Sequence, residues 1–147
     1  MSLPLDHRTR IKICGLTREA DVIDAVQAGA DAIGFVLYEK SPRFVSVQRA
    51  KELAALLPPF VTPVLLFVNA SSALLNEARE AIPHAVWQFH GDESPSDCDQ
   101  AQRPYFRAAR MAPFAQSLAE VVLGPAAEVV AGLEAGEDFD AFRPRLA

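Results

Sequence analysis

The chain has 147 residues, half of them hydrophobic and 22% charged, with a formal net charge of −5, enough for one core and short for two. The acidic balance argues against nucleic acid or an anionic membrane as a general partner, and no run approaches the roughly 18 apolar residues of a membrane span. Two cysteines do not make a disulfide framework at this size, and Met1 to Arg8 has no apolar run of the signal-peptide kind, so the expected setting is the reducing cytoplasm.

The first predicted strand is also the first candidate for chemistry. Arg10-Ile-Lys-Ile13 has β-favouring character and runs into Cys14-Gly15, with Thr17 as the expected N-cap of a first helix. Side chains alternate across a strand, so Ile11 and Ile13 share one face, expected to pack on helices, while Lys12 and Cys14 share the other. A thiol and an ammonium then meet at the strand's C-terminal end, where parallel α/β folds place their active sites. A cation beside a thiol favours the thiolate. Cysteine is also among the most buried residue types, so plain core packing is the competing reading of Cys14.

Glu19 and Asp21 fall in the first helical turn, where the dipole favours carboxylates; Val22, Ala25, Val26 and Ala30 recur at helical spacing, and Gly29 sits near the stop. Ala32 to Tyr38 is a nearly unbroken apolar run, the mark of a strand covered on both sides, and Lys40-Ser-Pro-Arg43 breaks it. A second helix is expected from about Val47 to Leu57, with Ala50, Leu53, Ala54 and Leu57 on one face and Pro58-Pro59 ending it. Val64 to Val68 is a third strand, and Ser71 caps a third helix carrying Leu74, Leu75, Ala78 and Ile82. Ala85 to Phe89 is a fourth strand, ending in His90-Gly91-Asp92-Glu93, whose two carboxylates read as solvated loop. Ser94-Pro95-Ser96-Asp97 is a helix-start signature, and Tyr105 to Ala109 is a fifth strand. Ser117 to Leu133 has helical composition interrupted by Gly124-Pro125, and no strand is assigned beyond Ala112.

Strand and helix thus alternate four or five times at roughly 20–30 residue spacing, which predicts βα units, a parallel sheet and a single domain over residues 1–147 in which 112–147 carries the faintest signal. Right-handed crossovers put the strand ends on one side, where Cys14, Arg43 and His90 converge. On the fourth strand Trp87 and Phe89 suit the helix side, leaving Gln88 and His90 toward that opening. Each has a plain alternative. Lys12 also reads as a solvated strand end, Arg43 as a loop arginine after a Ser-Pro turn, and His90 as a hydrogen-bonded structural histidine.

Five segments carry a resemblance. Lys12-Ile-Cys-Gly-Leu-Thr17, Gly29-Ala-Asp31 with Gly34-Phe35, Ser41-Pro-Arg43, Phe67-Val-Asn69 and Gln88-Phe-His-Gly-Asp-Glu93 resemble, in order and spacing, the phosphoribosylanthranilate isomerase family across roughly residues 9–111. The resemblance implies a TIM-type (β/α)8 barrel, here incomplete. It also implies isomerisation of N-(5′-phosphoribosyl)anthranilate in tryptophan biosynthesis, with a small phosphorylated substrate and neither metal nor organic cofactor. By the same resemblance Cys14 is the general base and Arg43 meets the anthranilate carboxylate, with Lys12, Gln88 and His90 as further substrate-side residues. A planar guanidinium suits a planar carboxylate.

Other features depart from the family. Its acid is an aspartate closing an apolar sixth strand, and no such run ends in aspartate here; Asp138 and Asp140 sit in a polar stretch and do not inherit the role. The glycine-rich phosphate segments are missing, with Val121-Val-Leu-Gly124 and Gly132-Leu-Glu-Ala-Gly136 as faint echoes, and Leu65 stands where the family has a small residue. A complete barrel needs at least about 200 residues. The expected molecule is therefore a partial barrel with open sheet edges prone to self-association, and nearly inactive alone. Two alternatives stand beside it: a non-catalytic half-barrel remnant, and a doubly wound flavodoxin-like binding module.

Overall fold

The computed structural model describes residues 8–109 and the strand at 127–131. Its elements run β1 (Lys12–Cys14), α1 (Glu19–Gln27), β2 (Ala32–Val36), α2 (Val47–Ala54), β3 (Thr62–Phe67), α3 (Ser72–Ala81), β4 (Val86–Phe89), α4 (Pro95–Asp99), β5 (Tyr105–Ala109) and β6 (Ala127–Ala131). All neighbouring strands are parallel, and the sheet order is β1-β2-β3-β4-β5-β6, the same as the chain order. A doubly wound sheet reverses direction at a switch point, and this one never does. The flavodoxin-like alternative is thereby overturned, and the architecture is a partial (β/α) barrel.

The strand side chains divide by parity, as the pleat requires. Ile33, Phe35, Leu65, Phe67, Trp87, Phe89 and Tyr105 join Val22, Ala50, Leu53, Ala78, Ile82 and Cys98 from the helices in one buried cluster. Within it Phe67 and Trp87 meet edge to face at 4.9 Å between ring centroids, a favoured aromatic geometry. Arg79 and Arg103 hold their guanidinium carbons 5.3 Å and 4.9 Å from the Trp87 ring centroid, and both also donate to backbone carbonyls. The opposite parity, including Cys14, Gly34, Val36, Val64, Leu66 and Gln88, lines the inner face of the curled sheet.

Three expectations need correcting. Ile11 and Ile13 are 46% and 38% exposed rather than packed on helices. β1 is an edge strand with one neighbour, so among the described residues its outer face is covered from one flank only. The N-cap of α1 is Arg18, not Thr17; its side chain makes no capping bond but pairs with Asp21 through two N–H donors. Within the stretch read as helix, Ala127–Ala131 is a strand paired with β5. Two adjacent β-branched residues, Val129 and Val130, favour an extended backbone. The rest of that stretch, and Asp138 and Asp140, lie outside the described residues. Ser71 and Ser94 cap α3 and α4 as expected, the latter through a full capping box with Asp97.

Candidate active site

The end of β1 is built around two glycines. Cys14 stands in register with Gly34, and a Cβ on Gly34 would lie 2.9 Å from the Cys14 Sγ. The thiol therefore occupies space that any other residue would fill. One residue on, Gly15 turns with φ +86° and donates its N–H to the Gly34 carbonyl at 2.8 Å, ending the strand. A Cβ on Gly15 would approach the Arg43 Cδ to 2.6 Å. Arg43 thus lies directly across the chain from the β1–α1 turn, and its Nη1 donates to the Cys14 carbonyl at 3.3 Å. The turn holding it is stabilised by the Arg43 N–H donating to the Ser41 Oγ at 3.1 Å. Among the described residues no carboxylate forms an ion pair with this exposed guanidinium.

The other expected residues gather on the same side to different degrees. Lys12 and Cys14 are both half-buried and share the inner face of β1. Gln88, on β4, is 4% exposed, and its buried Oε1 has no hydrogen-bond partner among the described residues. A buried amide oxygen left in this state costs free energy unless a donor reaches it. His90 follows β4, half-buried, its backbone N–H donating to the Phe67 carbonyl at 2.9 Å. Cys14, Arg43 and His90 all follow or close the C-terminal ends of parallel strands, so they stand at one mouth.

Glu93 is not the solvated loop residue that its sequence context predicts. It is 8% exposed, and its carboxylate accepts the Asn69 N–H on Oε1 at 2.7 Å and the Gly91 N–H on Oε2 at 2.8 Å. Asn69, at φ +47°, accepts the Asp92 N–H on Oδ1 at 2.9 Å, and Arg107 Nε donates to the Glu93 carbonyl at 3.1 Å. The ends of β3, β4 and β5 are clasped together by these bonds, with the His90 turn inside the clasp. The signal available in the sequence was Asn69, a residue type suited to positive φ, placed after a strand. Asp92 is exposed, as expected.

The two thiols occupy opposite environments. Cys98 is fully buried, and burial, then the nearby Glu93 charge, push its thiol up to about 11. Cys14 is half-exposed at the mouth. Tyr105, also on the helix side, is pushed up to about 12 by burial and by its hydrogen bond to Asp99. Among the described residues, no helix is long and apolar enough to cross a membrane.

Comparison with known proteins agrees with this geometry. The family described as N-(5′phosphoribosyl)anthranilate (PRA) isomerase matches residues 11–131. The N-(5′-phosphoribosyl)anthranilate isomerase of Methylibium petroleiphilum is 67% identical over 106 residues, which are 72% of this chain and 50% of that protein. Phosphoribosyl anthranilate isomerase from Thermotoga maritima superposes with a TM-score of 0.67 at 34% identity, covering 71% of this chain and 52% of that one. A crystal structure of the isomerase in complex with reduced 1-(o-carboxyphenylamino)-1-deoxyribulose 5-phosphate superposes with a TM-score of 0.68 at 34% identity, over 71% and 55% of the two chains. This chain spans about half the length of the curated relatives it matches.

Proposed function

The chain belongs to the N-(5′-phosphoribosyl)anthranilate isomerase family, and from that premise we propose that it carries the base side of an Amadori isomerisation in tryptophan biosynthesis, in the cytoplasm. The observation that carries the reading is the Arg43 guanidinium donating to the Cys14 carbonyl at 3.3 Å, which gathers a thiol and a cation without a carboxylate partner among the described residues at one mouth.

The reaction sorts these groups into roles. An acid protonates the furanose oxygen; the C1′–O bond breaks with its electrons passing to that oxygen, and the anthranilate nitrogen lone pair forms an iminium. The Cys14 thiolate takes the C2′ proton, and the C2′–H electron pair forms the enolamine. Tautomerisation of that species yields 1-(2-carboxyphenylamino)-1-deoxyribulose 5-phosphate. Arg43 holds the anthranilate carboxylate through paired N–H donors. The orphaned Gln88 Oε1 accepts a sugar hydroxyl, His90 lines the mouth, and Lys12 adds positive charge on the face of the thiol.

The acid is absent from this assignment. Glu93, a buried carboxylate at the strand ends, already accepts two backbone N–H groups and serves the clasp. General acid–base groups contribute about 10²- to 10⁴-fold each, so with no acid assigned among the described residues slow turnover is expected. The test follows the fluorescence of phosphoribosylanthranilate with the purified chain and with Cys14→Ser, and titrates both with the reduced carboxyphenylamino compound. The reading expects binding by both, weakened at least about tenfold by Arg43→Leu. Any slow turnover is expected to disappear with Cys14. No binding, or turnover indifferent to Cys14, would overturn it.

A further inference from the structure

Between Arg43 and the core-facing Val45 stands Phe44, an aromatic residue to which nothing above gives a role. It is 39% exposed, one of the few large apolar side chains in that state among the described residues. Its placement follows from two independent observations. The backbone of the β2–α2 loop returns alongside the end of β2, so that Phe44 forms a parallel bridge with Val36 and the Val45 N–H donates to the Val36 carbonyl at 2.9 Å. Phe44 thereby takes the position beside β2 that β1 vacates when it ends at Cys14. Residues in parallel register share a face, so Phe44 shares that of Val36, Gly34 and Cys14. Alternation along the loop agrees: Val45 is buried in the helix-side cluster, which turns Phe44 the other way.

The mouth thus presents an exposed benzene ring two register positions beyond the thiol and adjacent in sequence to a guanidinium that has no ion-pair partner among the described residues. A ligand matching that pair needs a carboxylate on an aromatic ring. We propose that Phe44 is a specificity-determining residue, an aromatic wall against which the benzene ring of the anthranilate moiety packs while Arg43 takes its carboxylate. This rests on the isomerase reading and deepens it by assigning ring recognition to the same loop that carries the cation. Offset or edge-on ring pairs contribute beyond the area they bury, so replacing Phe44 by an aliphatic residue lowers affinity for an aromatic acid more than for a saturated one.

The experiment uses the whole chain and two probes, anthranilate followed by its own fluorescence and cyclohexanecarboxylate as a competitor. The unsubstituted chain is expected to prefer the aromatic acid. Phe44→Leu is expected to shrink that preference by about 3- to 10-fold, with Phe44→Tyr restoring it. Thermal melts of both variants check that the fold is kept, and Arg43→Met reports the carboxylate contact separately. Anthranilate binding that needs Arg43 but ignores Phe44→Leu would overturn this inference and leave the isomerase reading standing. No anthranilate binding by the unsubstituted chain would overturn both.

Discussion

Cys14 and Cys98 show how one residue type is given two fates by its surroundings. The Cys14 Sγ fits against Gly34, where a Cβ would stand 2.9 Å from it, and the residue remains half-exposed. Cys98 lies among core side chains and is held protonated by burial. Brief iodoacetamide treatment of the native chain near pH 8 is expected to label Cys14 alone, and peptide mass mapping checks this. Labelling of Cys98 at a comparable rate before denaturation would contradict the burial described. Gly34→Ala forces the thiol or the strand to move. We predict a loss of about 1–3 kcal/mol in urea unfolding, the usual range for overpacking, together with a changed Cys14 alkylation rate. An unaltered rate would mean that Gly34 does not set the thiol's position.

At the scale of elements, surface pairs and the buried clasp contribute unequally. Arg49 on α2 donates to the Glu19 carboxylate at 2.6 Å and to the Thr17 carbonyl at 3.2 Å, joining the start of α1 to α2. That contact pulls the Glu19 carboxyl down to about 2. A depressed folded-state value means the contribution is present above the unfolded value near 4.3 and lost as pH falls toward 2. Melting temperatures from pH 6 to 2 should therefore fall more steeply in the unsubstituted chain than in Arg49→Met, and parallel curves would deny the linkage. The effect is small, as for exposed pairs generally. Glu93 matters more, because its two bonds are buried and join separate strand ends. Glu93→Gln replaces one accepting oxygen with a donor facing an N–H, and is expected to cost about 1.5–3 kcal/mol in chemical denaturation. The contrast explains what the sequence made legible. Apolar runs, helical spacing and cap signatures identify β1 to β5 and α1 to α4 because they report burial and chain ends, and the Cys14, Arg43 and Gln88 motifs mark the residues proposed for the site. Glu93 looked like loop because its partners are backbone N–H groups of other strands, which no local pattern records. The strand at Ala127–Ala131 escapes local patterns for a related reason, since its pairing is with β5, and the cap of α1 falls on Arg18, which makes no side-chain capping bond, rather than on Thr17.

At the scale of the molecule, the controlling fact is a parallel sheet of (β/α)-barrel type whose β1 and β6 each have one neighbour among the described residues. A closed barrel has no edges, whereas among the described residues no second strand receives the outward N–H and C=O groups of β1, and only the Cys14 carbonyl there takes a bond, from Arg43. The exposure of Ile11 and Ile13 falls at the same place, so among the described residues an edge without a strand partner and uncovered apolar surface coincide. Arg10 and Lys12 stand between and beside those isoleucines and oppose close approach of a second basic edge, which favours pairing of β1 with an unlike edge over pairing of β1 with itself. Two copies joined in that head-to-tail sense would leave a further edge on each side, and growth would not stop at a pair unless the curvature closed it. We predict concentration-dependent association of the isolated chain by sedimentation velocity, with species larger than a dimer at high loading. Ile11→Lys together with Ile13→Lys adds charge on the exposed face of that edge and is expected to shift the distribution toward monomer without lowering the melting temperature by more than a few degrees. A sharp monomer boundary for the unsubstituted chain at high concentration would show that the edge is covered by the chain itself.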